Sequence, residues 1–499
     1  MSHFTYSEFL AVTGATALTR QTPFSQARLW TDSRTIQPGD FFLPLSGERF
    51  DGHAYVAQAF KQGAIGAFVQ QSQFQRYPEW QGLPNLLGVP DPLAAYLAMA
   101  RAHREKINPV VVAVTGSSGK TTTKEMLAAA FSPLKKTLKT DKNFNNEIGV
   151  CQTLLAIKPG TELLVVEMGM RGPDQIALLS RTARPDVGLI VNIGPAHIGL
   201  LGSIEAIADA KLELVAGMDA NNGLLIFNAD TPFLAEKAPQ CWQGQKLGYH
   251  LVEAQNMRPW PNAQTDWAGV QFEYQGVTIQ LPLPGEHLVA NAIGVLKVGE
   301  RLGFSPQQMA SGLRNFANEK GRWERAPLAG FNQVSVINDA YNANPDSAQA
   351  SIQAFLHSFL SPVVTTTADE ASRSSQKPAL IVVIGGMKEL GTHSQAYHEA
   401  LGHWLATQQK IDALYTLGEE GAWVADAAEN APFSVRHAAT LEQLASLLIQ
   451  GDKPLQNAII FLKGSRAYQL EQLPALLDSM ASSASGVSPA MAFNKETHP

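Results

Sequence analysis

Cysteine is nearly absent from this sequence, and long apolar runs and an excess of one charge are missing as well. The 499 residues include only Cys151 and Cys241, so neither a disulfide framework nor a cysteine-rich zinc site is available. No apolar run approaches the roughly 18 residues of a membrane span, and Met1 to Leu10 lacks the pattern of a signal peptide. The net charge of −6 gives no field that would attract nucleic acid or anionic lipid. We therefore expect a protein of the reducing cytoplasm, with no nucleic-acid partner and no membrane span.

The length and composition predict several domains. A hydrophobic content of 45% with 16% charged residues is typical of chains that bury large cores, and 499 residues correspond to about three domains. We place a first unit at residues 1–105, a second at 106–325 and a third at 326–480. Residues 362–377 are polar and are interpreted as an insertion into the third unit. The Ser- and Ala-rich end at 481–499 is expected to be a disordered tail.

One glycine-rich stretch dominates the second unit. It follows an apolar, β-branched run at 110–115 that predicts a buried strand, and it opens a predicted helix at 120–131. Its residues are Thr115, Gly116, Ser117, Ser118, Gly119, Lys120, Thr121 and Thr122. In such a unit, backbone N–H groups and the helix N-terminus hold phosphates, the lysine neutralises their charge and the threonine hydroxyl ligates Mg²⁺. The common motif has a glycine where Val114 stands, so we interpret this stretch as a variant nucleotide-binding loop rather than an ordinary glycine turn.

Strands and helices alternate from this loop onwards, which favours parallel sheets with helices on both faces. The predicted strands lie at 110–115, near 136–140, and at 162–167, 187–192, 223–227, 333–338, 379–384, 411–417 and 457–462. Residues 242–283 instead have the pattern of short strands and turns, a β-excursion. Ligands of parallel sheets bind at the carboxyl ends of the strands, where Glu167 and His197 fall. These two could hold Mg²⁺ and its bound oxygens, although a glutamate at a strand end can also be purely structural.

Lys211 has an unusual place on its predicted helix at 203–218. With about 100° per residue, it falls inside the apolar stripe of Ile207, Leu214 and Met218, while the acidic residues fall on another face. Burial should lower the pKa of its amine, which would leave a neutral group that could be modified or act on substrate. The alternative is a side chain that extends along the helix edge to solvent.

Other polar stretches allow two interpretations from the residues alone. Asn145 and Asn146 precede a predicted helix, so they are candidates for ligand contact or for capping. Asn344 before Pro345 is a typical helix cap. The exposed polar residues just before it are Asp339, Tyr341 and Asn342. The polar loops of the first unit contain Ser33, Arg34, Arg49, Asp51 and His53. They are common turn sequences, yet their arginines could pair with a phosphate-bearing ligand.

These motifs together resemble the Mur ligase family over essentially the whole chain, apart from 362–377 and the tail. The most specific match is the string from Asp339 to Pro345, which differs in Mur ligases other than the branch that adds D-alanyl-D-alanine. The other matches are 115–122, 143–149, 167–169, His197, 210–213, Gly321, Arg322, 32–34 and 49–53. Two departures are visible: Cys151 stands where the family usually has proline, and Asn338 where aspartate often precedes Asp339. Neither removes a charge assigned to chemistry.

The resemblance implies a fold class and roles for individual residues. It implies an α/β protein of three domains: an N-terminal UDP-binding domain, a central P-loop ATPase-like domain with a mainly parallel sheet, and a C-terminal Rossmann-like domain. The implied ATP contacts are the phosphate loop, Asn291 at the adenine, Arg322 at the phosphates and Asp339 at the ribose. The implied metal ligands are Thr121 for one Mg²⁺, then Glu167, His197 and a carbamylated Lys211 for a second. Lys120, Glu167, His197, Lys211 and Arg322 are the implied catalytic residues. Substrate contacts are implied for Ser33, Arg34, Arg49, Asp51, His53, Asn145, Asn146, Tyr341, Asn342 and Asn344.

The implied activity is ATP-dependent amide formation in peptidoglycan precursor synthesis. The carboxylate of UDP-N-acetylmuramoyl-tripeptide becomes an acyl phosphate, which the amine of D-alanyl-D-alanine then attacks. We expect a monomer that binds these small molecules and whose third unit moves onto the second. The alternatives are a Mur-type ligase that adds a different amino acid, and a P-loop nucleotide switch without ligase activity.

Overall fold

The computed structural model describes residues 3–47, 50–261, 267–358, 377–451 and 455–485. Arg49, most of the predicted insertion and residues 486–499 of the predicted tail lie outside these ranges. The described chain forms three large sheets in sequence order, which we call the N-terminal, central and C-terminal units. This confirms the predicted α/β class with three units. Among the described residues, no helix has the length and apolarity that crossing a bilayer requires.

The N-terminal unit is a mixed sheet around an aromatic core. Its elements are β1 (His3–Phe4), β2 (Thr16–Ala17), β3 (Ala27–Trp30), β4 (Phe41–Phe42), β5 (Ser46–Gly47), β6 (Phe50–Asp51), β7 (Gly66–Gln70), β8 (Leu86–Val89), α1 (Tyr6–Thr13), α2 (Val56–Lys61) and α3 (Pro92–Ile107). The strand order is β1-β3-β4-β7-β8-β2, with parallel pairs inside and antiparallel edges. Phe9, Phe41 and Phe68 pack in its core, with the Phe9 and Phe41 ring centroids 4.5 Å apart. Such ring pairs stabilise a small sheet beyond their buried area.

The central unit contains a fully parallel six-stranded sheet. Its elements are β9 (Val110–Thr115), β10 (Thr137–Lys139), β11 (Leu163–Glu167), β12 (Val187–Ile190), β13 (Leu224–Asn228), β14 (Gln245–Tyr249), β15 (Gln255–Pro261), β16 (Ala268–Tyr274), β17 (Val277–Leu281), α4 (Lys120–Phe131), α5 (Glu147–Leu155), α6 (Gln175–Ala183), α7 (Ile198–Leu201), α8 (Ile204–Leu212), α9 (Pro232–Cys241), α10 (Glu286–Arg301) and α11 (Pro306–Arg314). The order β10-β11-β9-β12-β13-β14 puts β9 between β11 and β12. The carboxyl ends of these three strands therefore meet at one edge, as the sequence pattern predicted.

The predicted β-excursion is only partly correct. β15, β16 and β17 form a separate antiparallel sheet, but β14 pairs in parallel with β13 and extends the main sheet. β14 is a polar edge strand, so it lacks the continuous apolar run that identifies the inner strands of a parallel sheet.

The C-terminal unit has a second mainly parallel sheet. Its elements are β18 (Glu324–Pro327), β19 (Val334–Asn338), β20 (Ala379–Gly385), β21 (Ala413–Leu417), β22 (Ser434–Ala438), β23 (Ala458–Lys463), α12 (Pro345–Ser358), α13 (Ser394–Ala406), α14 (Glu419–Ala427), α15 (Leu441–Ile449) and α16 (Leu473–Ser485). The strand order is β18-β19-β23-β20-β21-β22, and only β18 is antiparallel to its neighbour.

Two boundaries predicted from the sequence, the start of the third unit and the start of the tail, differ from the structure of this unit. The limit between residues 325 and 326 falls inside β18, which pairs with β19. The expected tail from 481 begins inside α16, whose Leu473 and Leu477 are fully buried and whose Asp478 Oδ1 accepts from the Gly330 N–H at 2.9 Å. The helix continues to Ser485 because its start is anchored in the core and alanine and serine can extend it.

Candidate active site

The glycine-rich loop between β9 and α4 is held in place by the strand beside it. Gly119 has φ +75°, a left-handed conformation that favours glycine. The Asn192 side chain, just past β12, accepts from Ser118 N–H at 2.9 Å and donates to the Ser118 carbonyl at 3.1 Å. Ser117 Oγ donates to the Gly194 carbonyl at 2.9 Å. The loop is thus preorganised at the N-terminus of α4, where the helix dipole favours anions.

Three side chains around this loop fit a triphosphate and its metal ion. Lys120 Nζ donates to the Gly116 carbonyl at 2.7 Å, and burial lowers the pKa of its amine, an effect that the charge of Glu167 opposes. Arg322, from the segment between α11 and β18, donates to Thr121 Oγ1 at 3.1 Å. Two cations and a hydroxyl therefore converge on one point.

Glu167 ends β11 directly beside this point. Its side chain is almost fully buried, and its Oε1 accepts from Asn145 Nδ2 at 2.7 Å. Its Oε2 is also buried and has no hydrogen-bond donor among the described residues. A buried carboxylate oxygen with a free lone pair, in the same cleft as the Thr121 hydroxyl, fits Mg²⁺, which takes one or two protein oxygens and binds phosphates as well. No group of three or more His, Cys, Asp or Glu within the described ranges forms a self-sufficient metal cage.

His197 lies in the same cleft but its ring faces the C-terminal unit. Nδ1 of His197 is 2.5 Å from Oε2 of Glu389, and this contact lowers the pKa of the Glu389 carboxyl. The backbone of both residues is left-handed, with φ of +67° and +66°. Such conformations cost free energy in non-glycine residues, so the fold imposes this meeting of the two units.

Lys211 is buried as the helical stripe predicted. Its side chain is almost completely covered in α8, and its pKa lies well below the ordinary value because of burial first and the charge of Lys120 second. The prediction of a buried lysine with a lowered pKa is confirmed, and the solvent-reaching alternative is wrong. Because Lys120 contributes to the shift, the two amines lie within electrostatic range of each other.

The C-terminal unit contributes a second polar group to the cleft. Lys463 Nζ is 2.8 Å from Asp339 Oδ2 and 3.1 Å from the Asn342 carbonyl. The guanidinium groups of Arg322 and Arg466 lie 4.5 Å and 5.7 Å from the centre of the Tyr341 ring, within cation–π range. Arg322 therefore contacts the C-terminal unit through the Tyr341 ring as well as the central unit through Thr121.

Two of the predicted asparagines cap helices while they line the cleft. Asn146 Oδ1 accepts from the Gly149 N–H at 3.0 Å at the start of α5, and Asn344 Oδ1 accepts from the Ser347 N–H at 2.8 Å at the start of α12. Capping thus accounts for the side-chain oxygen of Asn146 and of Asn344. Asn145 instead donates a hydrogen bond to the Glu167 carboxylate.

The cleft between the central and C-terminal units has a volume of about 1020 Å³. It brings together most of the predicted site residues: Ser117, Ser118, Gly119, Lys120, Thr121, Thr122, Asn145, Asn146, Glu167, His197, Asn291, Arg322, Asp339, Tyr341, Asn342 and Asn344. Thr115, Gly116 and Lys211 are buried and do not line the cleft. This volume is sufficient for a nucleotide and part of a second substrate.

Ser33, Arg34, Asp51 and His53, the predicted residues of the N-terminal unit that the structure describes, do not line this cleft. Arg34 pairs with Asp32 at 2.8 Å and is largely exposed. The buried His53 accepts from the Gln70 N–H at Nε2, so its Nδ1 carries the proton and donates to Asp51 at 2.7 Å. These hydrogen bonds stiffen the loop, while Ser33 and Arg34 remain accessible.

Sequence reasoning missed several members of the cleft. Asp346 lines it in the first turn of α12, and burial raises the pKa of its carboxyl. His287 lines it at the start of α10, and burial lowers the pKa of its ring to about 4. Lys124, one turn after Lys120 in α4, is fully buried behind it. A lysine one turn after the phosphate-loop lysine, on a helix with few exposed positions, is the signal that could have found Lys124.

Comparison with known proteins gives three family-model matches that follow one another along the chain. The family model of the Mur ligase catalytic domain matches residues 28–117, that of the Mur ligase middle domain 114–299, and that of the Mur ligase glutamate ligase domain 321–466. A UDP-N-acetylmuramoyl-tripeptide–D-alanyl-D-alanine ligase of Bacillus subtilis is 34% identical over 445 residues, which cover 89% of this chain and 91% of that protein.

Solved structures agree in fold. MurF from Acinetobacter baumannii superposes with a TM-score of 0.81 at 29% identity, over 96% of this chain and 99% of the other. The MurF ligase of Thermotoga maritima in complex with ADP gives a TM-score of 0.76 at 26% identity, over 92% and 98%. Three consecutive domain matches and a relative similar along nearly its whole length lead to one conclusion: the chain belongs to the Mur ligase family.

Proposed function

We propose that the chain is an ATP-dependent amide ligase that joins D-alanyl-D-alanine to UDP-N-acetylmuramoyl-tripeptide. The observation that carries this proposal is the cleft in which the phosphate loop, Glu167 and Arg322 of the central side meet Asp339 and Lys463 of the C-terminal unit. The name of the Bacillus subtilis relative and the ADP complex of the Thermotoga maritima structure support the same substrates.

The residues divide the chemical task between them. A carboxylate and a triphosphate repel each other, so Lys120 and Arg322 lower the charge where the carboxylate attacks the γ-phosphate. The products of this step are ADP and an acyl phosphate, in which the carboxyl carbon has become electrophilic. The dipeptide amine then attacks that carbon, the C–N bond forms, the amine loses a proton and inorganic phosphate leaves. Alignment of the reactants in the cleft can contribute about 7–11 kcal/mol of barrier reduction at best.

Mg²⁺ would be held by Thr121 Oγ1 and Glu167 Oε2, and it supplies charge neutralisation at the phosphates. We further propose a second ion near His197 and a carbamylated Lys211. The lowered pKa of Lys211 supports the latter, since carbamate formation needs a neutral amine. Incubation with ¹³C-bicarbonate should give a protein carbamate signal in NMR that Lys211→Ala lacks. Near-normal turnover of Lys211→Ala would remove the carbamate from the mechanism.

We assign the UDP-sugar end of the substrate to the N-terminal unit. Ser33 and Arg34 are accessible there, hydrogen bonds order the loop of Asp51 and His53, and Arg49 belongs to the sequence stretch just before that loop. Arg34→Ala should raise the KM for the UDP substrate several-fold with little effect on the KM for ATP. We also propose a monomer that works in the cytoplasm, because ATP and nucleotide-linked sugars are available there.

The deciding experiment measures phosphate release and amide product by mass spectrometry, with ATP, Mg²⁺ and the UDP-tripeptide. With D-alanyl-D-alanine, the wild type should form an amide product with at least one of the two tripeptide forms, the diaminopimelate form or the lysine form. The Lys120→Met variant should form no product with either. A product with a different amine alone would indicate another Mur-type ligase. Nucleotide binding without any amide product would favour the nucleotide switch and contradict the proposal.

A further inference from the structure

Lys124 is a buried cation at the centre of the site that does not line the cleft. It lies in α4, four residues after Lys120, and its side chain is completely inaccessible. Buried lysines are rare because the charge must leave water, so they are kept where several partners compensate it. Lys124 Nζ lies 3.3 Å from Oε1 of the adjacent Glu125 in α4, and its other partners come from three separate segments of the chain.

The first partner is Glu319, in the segment that connects the central and C-terminal units. Lys124 Nζ is 2.5 Å from Glu319 Oε1. The Glu319 carbonyl in turn accepts from the Arg322 N–H at 3.2 Å, which closes the turn that carries Arg322. The ion pair therefore fixes the turn from which Arg322 reaches Thr121.

The second partner is the amide-rich loop. Lys124 Nζ donates to the Lys142 carbonyl at 3.0 Å, and Lys142 has the left-handed φ of +47°. Three residues later Asn145 donates to Glu167 Oε1. The same ammonium group thus holds the loop that orients Glu167.

The third partner is Glu167 itself. Its Oε2 lies 3.9 Å from Lys124 Nζ, which is close enough for charge compensation and too far for a hydrogen bond. The Oε2 lone pairs therefore remain available, although the carboxylate is buried beside a cation. A direct hydrogen bond from the lysine would occupy the oxygen that the proposed chemistry needs.

We propose that Lys124 is a positioning residue of the ligase reaction: it holds the Arg322 turn and the Asn145 loop in register with the phosphate-binding helix, and it compensates the charge of Glu167. The inference rests on the proposed function for its catalytic consequence, but the placement of Glu167 and Arg322 affects nucleotide binding as well. Lys124 acts through these residues and does not touch the reactants.

The test compares Lys124→Met with Lys139→Met. Lys139 carries the same charge and, among the described residues, pairs only with Glu125, which also neighbours Lys124. Loss of an outer-shell partner of a metal ligand costs about 10- to 100-fold in metal affinity or activity. Lys124→Met should lower kcat by that factor, raise by about tenfold the Mg²⁺ concentration at half-maximal ADP binding in calorimetry, and change the KM for the UDP substrate little. Lys139→Met should stay within about twofold of the wild type.

A second variant separates positioning from folding. Lys124→Met leaves Glu319 without its cation, so the variant is also expected to lose thermal stability. Lys124→Met/Glu319→Gln removes that unpaired charge and should recover the Tm, but neither the kcat nor the Mg²⁺ dependence of ADP binding. Recovery of all three in the double variant, or a wild-type Mg²⁺ dependence in a folded Lys124→Met protein, would overturn the inference. ADP binding does not require an amide product, so its result stands even if the wild type fails to ligate D-alanyl-D-alanine.

Discussion

One methyl group at Gly199 should force the central and C-terminal units apart. Gly199 lies in α7, and its N–H donates to the Glu389 carbonyl at 3.0 Å. A Cβ at this position would lie 2.4 Å from the Gly391 nitrogen and 2.9 Å from the Leu390 carbonyl carbon. Because both are backbone atoms, no side-chain rotation can relieve the clash. In Gly199→Ala the two units must therefore separate.

The geometry gives the size of the effect. Ordinary contact with a Cβ begins at 3.4 Å, so the two backbones must move apart by about 1.0 Å. A displacement of about 1 Å between reacting groups can lower a rate about 100-fold, which corresponds to about 2.7 kcal/mol. Within the helix itself alanine is favoured over glycine by about 1 kcal/mol. We expect kcat to fall about 100-fold in a Gly199→Ala protein that still folds.

The assay is phosphate release at saturating substrates, with Gly172→Ala as the matched control. The nearest atom to a Cβ at Gly172 is Gln175 Nε2 at 3.7 Å, so this variant should behave as the wild type. A folded Gly199→Ala protein with the wild-type kcat would refute the reasoning, because it would show that the Gly199–Gly391 approach is not part of turnover. Small-angle scattering with nucleotide and tripeptide adds an independent check, since the variant should compact less than the wild type.

Three further substitutions test other parts of the structure. Burial lowers the pKa of His287 to about 4, so between roughly pH 6.5 and that value the unfolded chain binds a proton that the folded chain does not. The stability that depends on neutral His287 is therefore fully present above pH 6.5 and is lost on acidification, so His287→Gln should show a smaller decrease of Tm between about pH 7 and 5 than the wild type in calorimetry. Tyr341→Ala removes the ring beside Arg322 and Arg466, and should raise the KM for ATP several-fold, whereas Tyr341→Phe should not. The buried Arg104 donates to the Ala183 and Arg184 carbonyls at 3.0 Å each, so Arg104→Met should lower the free energy of unfolding in urea by about 2–4 kcal/mol with kcat nearly unchanged.

The local features of the central unit could be predicted from the sequence because each depends on neighbouring residues. The strand at 110–115 and the helix at 120–131 have the predicted bounds, since a continuous apolar run and a glycine loop with Lys-Thr define them without help from the rest of the fold. The burial of Lys211 was predictable for a similar reason, because helical periodicity alone places it among apolar residues.

The edge strands were harder to predict. β14 and β22 are polar and partly exposed, and both complete a parallel sheet that provides their backbone partners. Their sequences contain no long apolar run, so only the neighbouring strand determines that they are strands. Whether such a segment forms a strand depends on the neighbouring strand with which it pairs, and the local sequence pattern does not show that neighbour.

Pairs that are distant in sequence could not be predicted at all. Lys124 and Glu319 are 195 residues apart, and Arg322 and Thr121 are 201 apart. The placement of His197 shows the same limit. Its position after a strand correctly predicted that it lines the cleft, but its ring nitrogen faces Glu389 of the other unit, a partner that no local pattern could indicate.

The segment before β18 combines these observations into one physical picture. Glu319 is held by Lys124 of the central unit, while the Gly321 carbonyl accepts from the Tyr341 N–H of the C-terminal unit at 3.1 Å. Arg322, between these two anchors, reaches Thr121. Glu319 and Gly321 are only two residues apart, and each is hydrogen-bonded to a different unit. A rotation of the C-terminal unit should therefore change the position of Arg322. We therefore expect the proposed phosphate contact of Arg322 to depend on the relative position of the two units, so that its charge is in place for the first chemical step only in the assembled cleft.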